Sequence, residues 1–174
     1  MNKLLINGVI LSVFLIIISF ISGCSNSDSN PVNNPTFDAN SINGTITFVD
    51  NAFISDTNVG YYSVSAFANW PPTANASATA KIIPVLSNGK YTATFKIIVP
   101  GDGSYTITSS FIKLPYVPGS VYGLGMYDVP GNDTTHNVGI IMGSHPKATI
   151  SSGAGVGNIN FNSWVDTAKK IYKF

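Results

Sequence analysis

Few residues of this chain have types and spacings that do chemistry, and most of those sets are incomplete. His136 and His145, the only histidines, lie near Asp128 and Asp133. Imidazole with carboxylate is a donor set for zinc or a similar ion. Their spacing fits no compact ligand pattern, however, and His145 precedes Pro146 in a turn, so they read as solvated loop residues. Asp128, Asn132 and Asp133 offer oxygens to calcium, but no D-x-D-x-D-G loop is present, and Asp and Asn are ordinary turn residues. The run Gly123-Leu124-Gly125-Met126-Tyr127-Asp128 opens like a dinucleotide fingerprint. It lacks the third glycine and no helix can follow before Pro130, so tight packing explains the glycines better. No G-x-S-x-G elbow exists, and nothing in the spacing places two of the aspartates together. The expectation is no enzyme, no resident metal and no cofactor.

Two features are less bland. Trp70, Tyr116, Tyr122 and Tyr127 fall at strand ends or beside Pro and Gly, where rings can stack on a sugar while Asn and Asp take hydroxyl hydrogen bonds. Sealing the ends of the core is the competing role for these rings. The second feature is Cys24, the only cysteine.

Cys24 closes a three-part leader. Lys3 is its positive end, Val9 to Ile21 its apolar core, and the small residues Ser22 and Gly23 precede the cysteine. The core is shorter than the about 20 apolar residues that span a bilayer, and Asn7, Gly8, Ser12 and Ser19 weaken a retained transmembrane anchor further. Ile21-Ser22-Gly23-Cys24 resembles the lipobox of bacterial lipoproteins. The resemblance implies cleavage between Gly23 and Cys24, diacylglycerol on the thiol and acylation of the freed amine. At about 0.8 kcal/mol per buried methylene, two or three chains hold a protein on a membrane almost permanently. The implied address is the bacterial cell envelope, with the membrane as partner through the N-terminal lipid. Ser25 in place of aspartate after the cysteine favours the outer membrane, by resemblance to enterobacterial sorting.

Composition bounds the remainder. Removing 23 leader residues from 174 leaves 151, enough for one domain with a substantial core. Every cation is lysine and every anion aspartate; Arg, Glu and Gln are absent. Loss of those helix formers, with abundant Thr, Val, Ile, Tyr and Phe, favours an all-β domain. Without Lys3, the 9 cations fall to eight against 8 anions. No basic excess exists to release counterions and no guanidinium to read guanine, so no nucleic-acid partner is expected. With Cys24 lipidated, no disulfide remains and stability rests on packing.

Three regions follow: a signal peptide over 1–23, the lipidated cysteine and a flexible tether over 24–41, and a domain over 42–174. Ser25 to Ser41 is Ser, Asn, Asp and Pro with little to bury. It reaches at most about 60 Å fully extended and about 23 Å as a coil. Beyond it, Ile42, Gly44, Ile46 and Phe48 alternate with polar residues as a half-buried strand, and Tyr62 to Ala68 gives a second. A short strand is expected around Lys81 to Val85, and Asn88-Gly89 marks a tight hairpin. Tyr91, Ala93, Phe95, Ile97 and Val99 then share one face. Between Ser104 and Leu114 the alternation breaks at Phe111 and Ile112, which implies a bulge or a strand buried on both faces. Val121 to Val129, Val138 to Met142, Lys147 to Ile150 and Asn158 to Ser163 complete the strands. At the end, Ser163 and Asp166 allow a short capped helix, and a final edge strand over Lys170 to Phe174 fits nearly as well.

Ile42-Asn43-Gly44-Thr45-Ile46, Asn88-Gly89-Lys90-Tyr91 and Val99-Pro100-Gly101-Asp102-Gly103-Ser104-Tyr105-Thr106-Ile107 resemble motifs of the carboxypeptidase regulatory-like, or transthyretin-like, β-sandwich. The resemblance covers Ser41 to Leu114 and departs from the family in its longer loops and in the sixty or so residues after the last match. It implies an antiparallel β-sandwich of about seven to nine strands and a mostly non-catalytic module. The hydrolytic relatives end in a motif containing arginine, which this chain lacks. The expected function is a structural or binding role in the envelope, with a glycan or another envelope protein as partner. A carbohydrate-binding module using the loop aromatics is the alternative, and a hydrolase a distant third.

Overall fold

The computed structural model describes residues 36–127, 145–169 and 172–173. They form an all-β, sandwich-like body. The first strand, β1 (Ser41–Phe48), pairs antiparallel with β5 (Lys90–Ile98), from Ser41 opposite Ile98 to Thr47 opposite Thr92. This register puts Ile42 and Ile46 on the same face as Ile97, Phe95 and Ala93, because side chains alternate with period two. The hairpin from β4 (Val85–Ser87) into β5 turns on Asn88 (φ 50°) and Gly89 (φ 75°). Two successive positive φ values make the mirror-image turn whose twist suits a two-residue hairpin, as Asn-Gly predicts.

The other half is built on β6 (Gly103–Lys113), the longest strand. It pairs along its length with β2 (Gly60–Phe67), which carries the short edge strand β3 (Ala78–Lys81) on its far side. On its other side β6 meets β7 (Val121–Met126), and its first residues pair with β8 (Ala148–Ile150). The β6–β7 register slips at Ser109/Ser110, opposite Gly125 and Gly123, so Leu124 is the extra residue of a bulge. Residues 105–111 are buried on both faces. Both alternatives read from the broken alternation therefore occur together.

The continuous path is β3-β2-β6-β7-β9-β1-β5-β4, with β9 at Phe161–Ser163; β8 and β10 (Tyr172–Lys173) join beside it. The curled sheet encloses one core. Tyr62, Val64, Ile107, Phe111 and Leu124 come from one half, and Ile42, Ile46, Phe95, Ile97 and Phe161 from the other.

Four details differ from the sequence reading. The β1–β9 pair is parallel, Ile46 opposite Phe161, so the sandwich is not purely antiparallel. Because β9 does not follow β1 by a hairpin, nothing in the connection forces the antiparallel sense. The strand expected at Lys81 to Val85 is two strands, β3 and β4, and Ile82 to Pro84 crosses between the two ends of the sheet path. The C-terminal helix is a single 3-10 turn (Thr167–Lys169), with the Asp166 carboxylate accepting the Ala168 N–H at 2.8 Å, and β10 then supplies the alternative edge strand.

Finally, the folded body begins ahead of residue 42. Ser41 already belongs to β1, its hydroxyl donates to the Asp38 carbonyl, and the Asn40 N–H donates to Gly153 O. Phe37 lies against Gly155 and Gly157, where an added Cβ would run into its side chain. Phe37 is the one aromatic in an otherwise polar stretch and was the available signal.

Candidate functional site

The outer face of β2, β6 and β7 is where the chain differs from a plain sandwich. By register, Ser63, Ser65 and Phe67 stand beside Ser110, Thr108 and Thr106 on that face. These hydroxyl residues are buried: Ser63 is 0 % exposed and Thr108 2 %. Ser65 Oγ and Thr79 Oγ1 share a hydrogen bond of 2.9 Å, and Thr106 Oγ1 meets His145 Nε2 at 2.6 Å. Ser63 Oγ and Thr108 Oγ1 are buried and find no partner among the described residues. An unpaired buried hydroxyl costs about 1–3 kcal/mol, so the face is expensive.

A cleft of about 530 Å³ opens over this face. Phe67, Ile112, Val121 and Tyr116 supply apolar walls, and Thr73 and Asn75 of the Pro-rich loop after β2 supply polar ones. The volume lies in the range of small-molecule sites, roughly 300–1,000 Å³. Tyr116 is held out by a tight turn: Ser120 N–H donates to Val117 O at 2.9 Å, and Val117 N–H donates to Ser120 Oγ at 3.0 Å. Gly119 supplies the positive φ (83°) this turn needs. Tyr116 is 63 % exposed, which leaves it open to a ligand.

The four rings singled out in the sequence do not share one surface. Tyr116 lines the cleft. Trp70 is half-buried, sits edge-on to Phe67 at 5.5 Å and to His145 at 6.2 Å, and does not itself line the cleft. Tyr122 and Tyr127 pack against the core and do not line the cleft. Phe67, Thr73 and Asn75 carried no motif, and only the fold brings them to Tyr116.

His145 joins the Trp70–Thr106 cluster; its suggested companions Asp128, Asp133 and His136 lie outside the described residues, as do Asn132, the strand expected over Val138 to Met142, and Gly23, Cys24 and the leader. Among the described residues no three His, Cys, Asp or Glu side chains gather around a metal-sized space. Gly123 and Gly125 sit inside β7, and a Cβ on Gly125 would lie 2.6 Å from both Asn162 O and Ser109 Oγ, which makes the position a packing glycine.

Tyr62 carries a perturbed phenol. Burial pushes its phenol above the usual value, the Ile54 N–H bond to its oxygen pulls it back, and the charges of Asp50 and Asp166 raise it again. Its hydroxyl accepts from Ile54 N and donates to Val165 O, both at 3.0 Å, and so ties the loop after β1 to the C-terminal segment. Asp50 works beside it, accepting the N–H groups of Val165 and Asp166. This is a structural latch.

The chain matches no protein-family model, no curated protein and no solved structure.

Proposed function

We propose that this chain is a lipoprotein of the bacterial cell envelope, held by acylated Cys24 and acting through its β-sandwich as a non-enzymatic binding or structural module. The observation that carries the reading is Ile21-Ser22-Gly23-Cys24 at the end of an apolar run, with Cys24 the only cysteine. The transthyretin-like motifs of residues 41–114 support a module without catalysis, and Ser25 supports the outer membrane. Cells grown with labelled palmitate test it: label enters the wild-type protein and not the Cys24→Ala variant. An unlabelled wild type, or equal label in both, overturns the anchor.

The exposed Tyr116, which shares its cleft with Thr73 and Asn75, favours a second reading, in which the module binds a sugar ring on the cleft. A glycan array probed with the protein, followed by titration of any hit, tests it. Tyr116→Ala lowers affinity about two- to ten-fold, the worth of one stacked ring, whereas unchanged binding places the sugar elsewhere.

A further inference from the structure

On the side of the body that Ile82 to Pro84 crosses lies a second groove, of about 430 Å³. Its walls are Phe53 and Ile54 from the loop after β1, Tyr61 from β2, and Ile82, Ile83 and Pro84 from the crossing. Ile82 is buried and holds the crossing to β2 through its N–H bond to Tyr62 O at 3.0 Å. Ile83, the next residue, is 73 % exposed. Alternation along the crossing thus anchors one isoleucine and leaves its neighbour at the rim, uncovered among the described residues. Phe53 is fixed from behind by edge-on contacts to Phe48, Tyr62 and Tyr91, so the apolar wall is rigid.

Among the described residues one cation stands in this groove. Lys81 lines it, with its ammonium 5.5 Å from the centre of the Tyr61 ring. Among the described residues it makes no ion pair; the Lys–Asp pair found there joins Lys96 to Asp38. Asp56, between the lining residues Ser55 and Thr57, does not itself line the groove, and its carboxylate accepts the Asn58 N–H. An apolar trough with an uncompensated ammonium over an aromatic ring complements a ligand with an apolar tail and one negative head.

We propose that this groove binds a single-chain amphiphilic carboxylate, its tail along Phe53, Ile54 and Ile83 and its head at Lys81. The site is separate from the Tyr116 cleft and does not depend on acylation of Cys24.

A dodecanoate carrying a diazirine at its tail end tests the site on the full-length protein in phosphatidylcholine nanodiscs, with cross-linked peptides mapped by mass spectrometry. Label is expected on peptides containing residues 53–57 and 81–84. Lys81→Glu lowers it roughly three- to ten-fold, as does replacing the probe with its neutral alcohol. Ile83→Asp, at an exposed position, lowers it at least as much while circular dichroism stays unchanged. Unlabelled octanoate, decanoate and dodecanoate compete with strength rising about four-fold per methylene. Dodecanoate outcompetes dihexanoyl phosphatidylglycerol, which separates a free carboxylate from a lipid headgroup. Label spread evenly over the sandwich, equal label in Lys81→Glu, or stronger competition by the phospholipid would each overturn the proposal.

Discussion

The two broad halves of the sheet bury the same kind of inner face and treat their outer faces in opposite ways. On β5 the outward residues Thr94, Lys96 and Ile98 are exposed, and the inward Ala93, Phe95 and Ile97 are buried. On β6 the outward Thr106, Thr108 and Ser110 are as buried as the inward Tyr105, Ile107 and Phe111. Both outer faces have the polar side chains of a solvent-facing strand. One is wet and the other is covered. The lesson is that polarity at alternate positions shows which way a residue points, not whether water reaches it.

That contrast can be broken or sharpened by substitution. The largest effect belongs to the shared core: Phe111→Ala, at a site 1 % exposed, is expected to cost about 3–5 kcal/mol through lost burial and a cavity. Urea unfolding followed by tryptophan fluorescence measures it, and a cost under about 1 kcal/mol would mean the halves do not share a core. Next comes Gly125→Ala, which forces a methyl against Asn162 O and Ser109 Oγ. A loss of about 1–3 kcal/mol is expected, because overpacking must move backbone.

Tyr62→Phe removes two hydrogen bonds and is expected to cost about 1–2 kcal/mol near neutral pH. It also changes the alkaline limb. The folded pKa of Tyr62 is raised above the unfolded value of 10.0, so the folded state holds this proton more tightly. The associated stability is fully present below pH 10.0 and is lost as pH rises from there through the folded pKa. Denaturation at a series of pH values above 9.5 or so should give a shallower decline for Tyr62→Phe than for wild type; equal slopes would remove Tyr62 as the cause.

The smallest effect is the sharpest test, because it changes sign. Thr108→Val removes an unpartnered buried hydroxyl and keeps the side-chain shape, so it is expected to stabilise by roughly 1 kcal/mol. The same change at Thr94, on the open face, should stay within about 0.5 kcal/mol of zero. A destabilised Thr108→Val would show that the hydroxyl is satisfied in solution.

Much of the fold was legible along the chain. Residues 90–99 carry an unbroken alternation, Asn88-Gly89 carries its own turn, and the break at Phe111 and Ile112 announced both the bulge and the two-sided burial of β6. These are local signals, set by the period of a strand and the φ that glycine permits. The division of Ala78 to Ser87 into two strands at opposite ends of the sheet path was not legible, since each piece is three or four residues long. The parallel entry of β9 was equally hidden, because it depends on a partner more than a hundred residues away. Of the aromatic set, only Tyr116 announced its place, through the Pro118-Gly119 turn behind it. The cleft it lines also needs Phe67, Asn75 and Ile112, which no spacing links.

By itself, then, the sequence determined the strand-rich composition, the hairpin and the inward face of each long strand, and it carries a cysteine whose neighbours resemble a lipobox, because each follows from residues in contact along the chain. Which polar face would be covered, where Phe37 would dock, and that Lys81 would stand beside Ile83 and Phe53 were decided only by tertiary structure. Those outcomes depend on surfaces brought together across long loops, where the energy lies in the meeting of two elements and in neither one alone.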